Sequence, residues 1–294
     1  MGGQLRAIKR RIGSVKSTQK ITRAMELIAS SRIIKAQQAV EAARPYAEEL
    51  RRMMASVGKS AGSIDSPLLK ARDDVRAIGT IVISSDRGLA GAYNSNVIRA
   101  AERDLQSHGK EARLYLAGKK ANSYFKFRGY DISESWLGMS DRPSISDARK
   151  VATAAAKAYL EGEVDEVRLA FTRYESALTQ RPVIVQLLPM PQDEFASEET
   201  EGTGTGASYE FEPSPEEILD LLLPRYVEGT VLQAMLESAA SEHAARRRAM
   251  KAATDNADEL IGNLTRVYNQ ARQAEITTEI MEVVGGAEAL SEKK

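Results

Sequence analysis

The run Ser85, Asp86, Arg87, Gly88 follows a β-branched segment and has the residue types of a phosphate-holding turn. A P-loop, however, needs a glycine, four residues and then Gly-Lys-Ser/Thr, and the chain contains no such run. No nucleotide site is supported, and the turn reads as a structured one in which Asp86 and Arg87 satisfy backbone groups or each other. The triplet Arg246, Arg247, Arg248 has the charge to hold a phosphate but reads as exposed charge on a long helix, and His243 reads as a surface residue. There is no cysteine, which excludes disulfides, thiolate metal sites and thiol chemistry. Two histidines, His108 and His243, are too few for a zinc cluster. With no His, Cys or paired-carboxylate constellation, the sequence supplies no catalytic residue and implies no cofactor or metal.

What remains is a basic set near the start, Lys9, Arg10, Arg11, Lys16, Lys20 and Arg23, which by itself reads as a solvated helix face. The element that carries it is long. All nine prolines lie between Pro45 and Pro224, so the first 44 residues and the last 70 are each free of the residue that removes a helix donor and clashes with the preceding turn. Both ends are rich in Ala, Arg, Glu and Lys, which predicts helix at both. A helix of 70 residues would be roughly 105 Å long. Leu5, Ile8, Ile12 and Val15 form one apolar stripe, with Ile21, Met25 and Ile28 read as continuing it and Pro45 as a kink. In the last helix Leu260, Leu264, Val267, Ala271, Ala274, Thr278 and Met281 alternate steps of four and three, a left-handed coiled-coil period. The two ends are each other's natural partners, and the seam thins toward alanine and threonine at its tip.

The centre has a different period. Residues 77–84 are a buried strand, 94–108 a helix closed by Gly109, and 113–117 a second strand, which is βαβ logic. Ser144 with Asp147 three residues on is a capping box opening a helix to about residue 161. Residues 167–174 and 182–190 should form an antiparallel hairpin. The segment 192–208 is acidic and glycine-rich with almost no apolar side chain, and reads as a mobile loop. Ser214, Pro215 and Glu217 then form a strong helix start, and Pro224 reads as a kink or restart. The expected fold is α/β: an antiparallel coiled coil of long N- and C-terminal helices plus a small central, Rossmann-like α/β domain. Its segments are 1–58 for the first helix, 75–191 for the central domain, 192–213 for the flexible loop and 214–294 for the last helix.

Net charge is zero, with 41 basic and 41 acidic residues, so nothing global draws the chain to nucleic acid or an anionic membrane. No stretch approaches the roughly 20 apolar residues of a membrane span, and the start lacks a signal peptide's apolar core, so a soluble, intracellular protein is expected.

Two blocks, IKRRIGSVKSTQKITRAMELIASSRIIKAQ at 8–37 and AMKAATDNADELIGNLTRVYNQARQAEITTEIMEVVGGAEAL at 249–290, resemble the gamma subunit of the F-type ATP synthase. A third, ISSDRGLAGAYNSN at 83–96, matches that family's turn after the first strand, so the resemblance spans the chain. It implies a noncatalytic rotor: a coiled coil inside a hexamer of alpha and beta subunits, with an α/β foot on the membrane c ring beside the epsilon subunit. Such a subunit couples proton flow to ATP synthesis or hydrolysis and is peripheral to the cytoplasmic side of the cell membrane. By the same resemblance Arg23, Met25 and Glu26 meet the acidic lever loops of beta, and Arg272, Gln273, Thr277 and Glu279 make catch contacts with the catalytic ring. Asp86, Arg87, Tyr209 and Glu210 fall in the foot region that contacts epsilon or the c ring. Plastid members carry a regulatory insert with two cysteines, for which this chain has neither the cysteines nor the room. Two other readings compete: a small α/β nucleotide-binding enzyme with helical arms, and a static coiled-coil scaffold.

Overall fold

The computed structural model describes residues 2–61, 66–191 and 214–291. The acidic segment 192–208, and with it Tyr209 and Glu210, lies outside the described residues. The elements in chain order are α1 (Gly2–Ala61), β1 (Ala77–Ile83), α2 (Tyr93–His108), β2 (Glu111–Ala117), α3 (Lys119–Phe127), β3 (Ile132–Trp136), α4 (Ile145–Leu160), β4 (Glu166–Tyr174), β5 (Gln180–Leu188) and α5 (Pro215–Ser291). They divide into two compact units, Ser30–Arg246 and Met1–Ala29 with Arg247–Lys294.

The unit of Ser30–Arg246 is built on a five-stranded sheet of order β3-β2-β1-β4-β5. β1 pairs in parallel with both β2 and β4, β2 in parallel with β3, and the expected hairpin of β4 and β5 is antiparallel. Every residue of β1, an apolar run with Gly79 and Thr80, is buried, because helices cover both faces of the sheet there. One sheet face, with Ile81, Leu169 and Phe171, packs on Val151, Ala155 and Tyr159 of α4, on Leu219, Leu223, Val227 and Val231 of α5, and on Leu50, Met54 and Val57 of α1. The other, with Val82, Leu114, Leu116 and Ala170, packs on Val97, Ile98 and Leu105 of α2 and on Phe125 of α3.

Local chemistry sets the boundaries. Ser144 accepts from the Asp147 N–H while the Asp147 carboxylate accepts from the Ser144 N–H, the expected capping box. Gly109 ends α2 in the left-handed region at φ 58°. The α5 start also stands: Glu217 N–H donates to Ser214 Oγ at 3.2 Å. Both long helices run without a break through Pro45 and Pro224. α3 and β3 were not foreseen. α3 is nine residues with two buried side chains, and β3 is an edge strand with three exposed residues of five, so neither shows a clear period.

In the unit of Met1–Ala29 and Arg247–Lys294, α1 and α5 run antiparallel. Thr22 Oγ1 lies 2.8 Å from Thr254 Oγ1, and Gln19 Nε2 donates to Asp258, so positions rise on one helix as they fall on the other. The less exposed positions are Leu5, Ile8, Ile12, Val15, Gln19, Thr22, Met25, Glu26 and Ala29 on α1, and Ala249, Met250, Ala253, Thr254, Ala257, Ile261, Leu264, Tyr268, Ala271, Glu275 and Thr278 on α5. This corrects the expected seam. Ile21 and Ile28 are 57% and 54% exposed, and Leu260, Val267, Ala274 and Met281 also lie on the outer flank. The reason is that Leu260–Ile261 and Val267–Tyr268 offer two adjacent frames of equal period, and only the partner helix selects one.

Candidate functional site

Two surfaces carry the residues of interest. The first is the outer flank of the α1–α5 pair. Although the seam takes Leu5, Ile8, Ile12, Ile261 and Leu264, other large apolar residues face outward: Ile21, Leu27 and Ile28 on α1, and Ile276, Ile280 and Met281 on α5. An isolated folded protein rarely shows so much apolar surface without a use for it. Arg23 is exposed beside this flank, and Met25 and Glu26 are half-buried. Arg272, Gln273, Thr277 and Glu279 are all exposed on the last turns, where the Thr277 hydroxyl donates back to the Gln273 carbonyl at 2.9 Å. The Arg23 group lies on α1 and the Arg272 group on α5.

The second surface is the turn after β1. In doubly wound sheets ligands sit outside the carboxyl ends of strands at such a point, often on the free N–H groups of a following helix. At α3, which follows β2 and begins beside this turn, the first N–H groups are already used. Lys119 N–H donates to Asp86 Oδ1 at 3.1 Å, Lys120 N–H to the Ser85 carbonyl at 3.0 Å, and Ala121 N–H to Ser84 Oγ at 2.9 Å. The Asp86 carboxylate takes the place a phosphate would occupy at the α3 N-terminus. Burial works to raise its pKa, but hydrogen bonds from the Gly138, Ser140 and Lys119 backbones and the Ser140 hydroxyl outweigh that and lower it. Gly118, at φ 112°, brings the chain so close that an added Cβ would sit 2.2 Å from the Ser84 carbonyl oxygen. The α3 N–H groups that could hold a phosphate beside this turn are thus engaged within the chain. Asp86 satisfies backbone groups, as expected, but not Arg87, which is exposed and makes no ion pair among the described residues.

Against this turn packs a charged cluster that sequence reasoning misplaced. His243 is 1% exposed, not a surface residue, and Arg246 is buried too, while Arg247 and Arg248 are exposed. Three consecutive arginines point about 100° apart on a helix, so only one can face inward, and the sequence does not say which. Arg246 Nη2 binds Glu242 Oε1 at 2.5 Å and the Gly88 carbonyl at 3.1 Å. Its Nη1 lies 3.4 Å from His243 Nδ1, which must accept because a guanidinium only donates. His243 Nε2 then faces Asp141 Oδ1 at 3.5 Å, and Asp141 also holds Arg32. Burial drives the His243 pKa down to about 4, with Asp141 opposing and Arg246 reinforcing the shift. Burial raises the Glu242 pKa against the pull of Arg246. The Glu242–Arg246 pair at i, i+4 was the one sequence signal that could have marked the cluster.

Among the described residues no group of His, Cys, Asp and Glu could hold a metal ion, and no helix is long and apolar enough to cross a membrane.

The family model described as "ATP synthase" matches residues 4–290. The ATP synthase gamma chain of Streptomyces avermitilis is 48% identical over 99% of this chain and 98% of its own length. That of Frankia casuarinae is 51% identical over 99% of each. Among solved structures, a chain of the Euglena gracilis mitochondrial ATP synthase (OSCP/F1/c-ring, rotational state 3) superposes with a TM-score of 0.70, covering 99% of this chain and 95% of that one at 22% identity. That likeness establishes the fold.

Proposed function

The chain belongs to the ATP synthase gamma-chain family, and from that membership we propose that it is the rotor shaft of a bacterial F-type proton-translocating ATP synthase. The carrying observation is similarity near 50% identity over essentially the whole length of both proteins. The shaft turns with the membrane c ring and presents unlike faces in turn to three chemically identical beta subunits. Differential contact energy at each angle biases a beta subunit among its forms, which is how rotation and nucleotide affinity become linked.

The exposed apolar flank of Ile21, Leu27, Ile28, Ile280 and Met281 supports an enclosing ring of alpha and beta subunits. Arg23, Met25 and Glu26 meet acidic lever loops on beta, where a cation steers contact by charge. Arg272, Gln273, Thr277 and Glu279, exposed on the last turns, make the catch contacts. At the foot, Arg87 is the exposed group that meets epsilon or the c ring, since Asp86 is engaged within the turn; Tyr209 and Glu210 are assigned to the foot by the resemblance alone. Catalysis belongs to the beta subunits, and this chain is peripheral on the cytoplasmic side of the membrane, held there by the complex.

The experiment is single-molecule rotation of this chain in a reconstituted complex with alpha and beta subunits under ATP. Stepwise rotation is expected. An assembled, ATP-hydrolysing complex in which the chain stays still would make it a static scaffold.

A further inference from the structure

Within the unit of Ser30–Arg246, α1, the β4–β5 hairpin and α5 enclose a cleft of about 420 Å³, a size typical of small-molecule sites. Its composition is unusual for a packing defect. Arg44 and Arg51 line it from α1, seven residues apart and therefore on one face, and Arg173 lines it from β4. Among the described residues none of the three has an ion-pair partner, although Arg173 stacks over the Phe171 ring at 5.9 Å. Two carboxylates share the lining, Glu48 and Glu237. Glu237 is already engaged, accepting from Gln233 Nε2 at 2.9 Å and from the Tyr174 N–H at 3.2 Å. With three guanidinium groups against two carboxylates, the lining carries a net positive charge. Leu50, Phe171 and Leu187 supply a buried apolar wall. The Gln233 side-chain carbonyl is buried and accepts no hydrogen bond, which leaves one acceptor for a ligand donor.

We propose that this cleft binds a small amphipathic anion. Its carboxylate, sulfonate or phosphate group lies against Arg44, Arg51 and Arg173, and its apolar body against Leu50, Phe171 and Leu187. Planar guanidinium forks suit such oxyanions, and an apolar wall beside them selects against free inorganic anions. A bound ligand touches α1, the sheet and α5 at once, so it stabilises the fold by mass action. This is a ligand site on a subunit otherwise read as purely mechanical.

The probe is 8-anilinonaphthalene-1-sulfonate, which combines a sulfonate, an apolar body and one N–H donor, titrated against the full chain by fluorescence and calorimetry. Its neutral analogue N-phenyl-1-naphthylamine serves as the comparison. One saturable site is expected. Arg51→Gln and Arg173→Gln should each weaken the sulfonate roughly five- to tenfold and leave the neutral probe nearly unchanged. Gly229→Met should fill the cleft and abolish both, because a Cβ at Gly229 meets nothing closer than 3.8 Å and the longer side chain enters the cavity. Circular dichroism reports whether that variant folds, and the two arginine variants decide the matter without it. Unchanged sulfonate affinity in both arginine variants would overturn the proposal. So would binding that is lost on Ile280→Ser and Met281→Ser, because the probe would then sit on the exposed apolar flank of the other unit.

Discussion

The two units use apolar side chains in opposite ways. In the unit of Ser30–Arg246, large residues such as Ile81, Leu114, Leu169 and Phe125 are fully buried. In the unit of Met1–Ala29 and Arg247–Lys294 the buried residues are few, Thr22, Ala29, Met250, Thr254 and Ala257, while Ile28, Ile280 and Met281 face outward. The first unit is stabilised by its own core. The second buries little area per turn, so its stability depends on what encloses it.

The comparison can be broken most directly by truncating one side chain on each side of it. Leu169→Ala should cost about 3–4 kcal/mol in denaturant unfolding, because it opens a cavity between the sheet and its helices. Met281→Ala, at 69% exposure, should change the free chain by less than about 0.5 kcal/mol yet weaken assembly with the alpha and beta subunits. Equal losses in the free chain would mean that both units are packed alike.

Acid should separate the units next. His243 binds a proton less readily when folded, at about 4, than when unfolded, at 6.5. Its contribution is therefore complete above pH 6.5 and is lost as pH falls toward 4, by up to roughly 3 kcal/mol. Asp165 adds a second loss at lower pH. Burial works to raise its pKa, but the Ala77 and Arg76 N–H groups and Arg72 bring it down to about 2, so its stabilisation disappears between about 4 and 2. Both groups lie in the sheet-bearing unit. Urea midpoints at pH 7, 5.5 and 4.5 should fall for the native chain and fall less for His243→Gln. Parallel curves would show that His243 is not held neutral by burial.

A smaller effect is expected at the flank. Met25→Lys places a new cation beside the acidic loops proposed to face it and over-stabilises one rotor angle by on the order of 1 kcal/mol. The complex should still assemble and hydrolyse ATP but pump fewer protons per ATP in membrane vesicles, and unchanged pumping would remove Met25 from the coupling path. The least energetic test is local opening. Side chains 279–287 are all exposed, so in the free chain amides beyond about Gln270 should exchange early and those around Ala240 late. Strong protection beyond Gln270 would mean that the seam suffices by itself.

The expected helix at each end, the buried β1, the Ser144 capping box and the β4–β5 hairpin were legible in the sequence because each is written in short-range chemistry: period, cap and turn residues. α3 and β3 were not, since a nine-residue helix with two buried side chains and a polar edge strand leave almost no periodic trace. The candidate contact residues could be named only by resemblance, because an exposed arginine on a helix looks the same in sequence whether or not a partner awaits it.

By itself the sequence determined the type of every element except α3 and β3, the pairing of the two ends and the family, all of which rest on local propensity or on long matching blocks. Tertiary structure alone decided the frame of the seam, which of three consecutive arginines turns inward, and that His243 is buried beside Asp141. It also decided that Asp86 occupies the α3 N-terminus. Each of these depends on a partner brought near by folding, as with Gly88 and Arg246 or Thr22 and Thr254, and a side chain's burial is fixed by that partner's surface and not by its own neighbours in the chain.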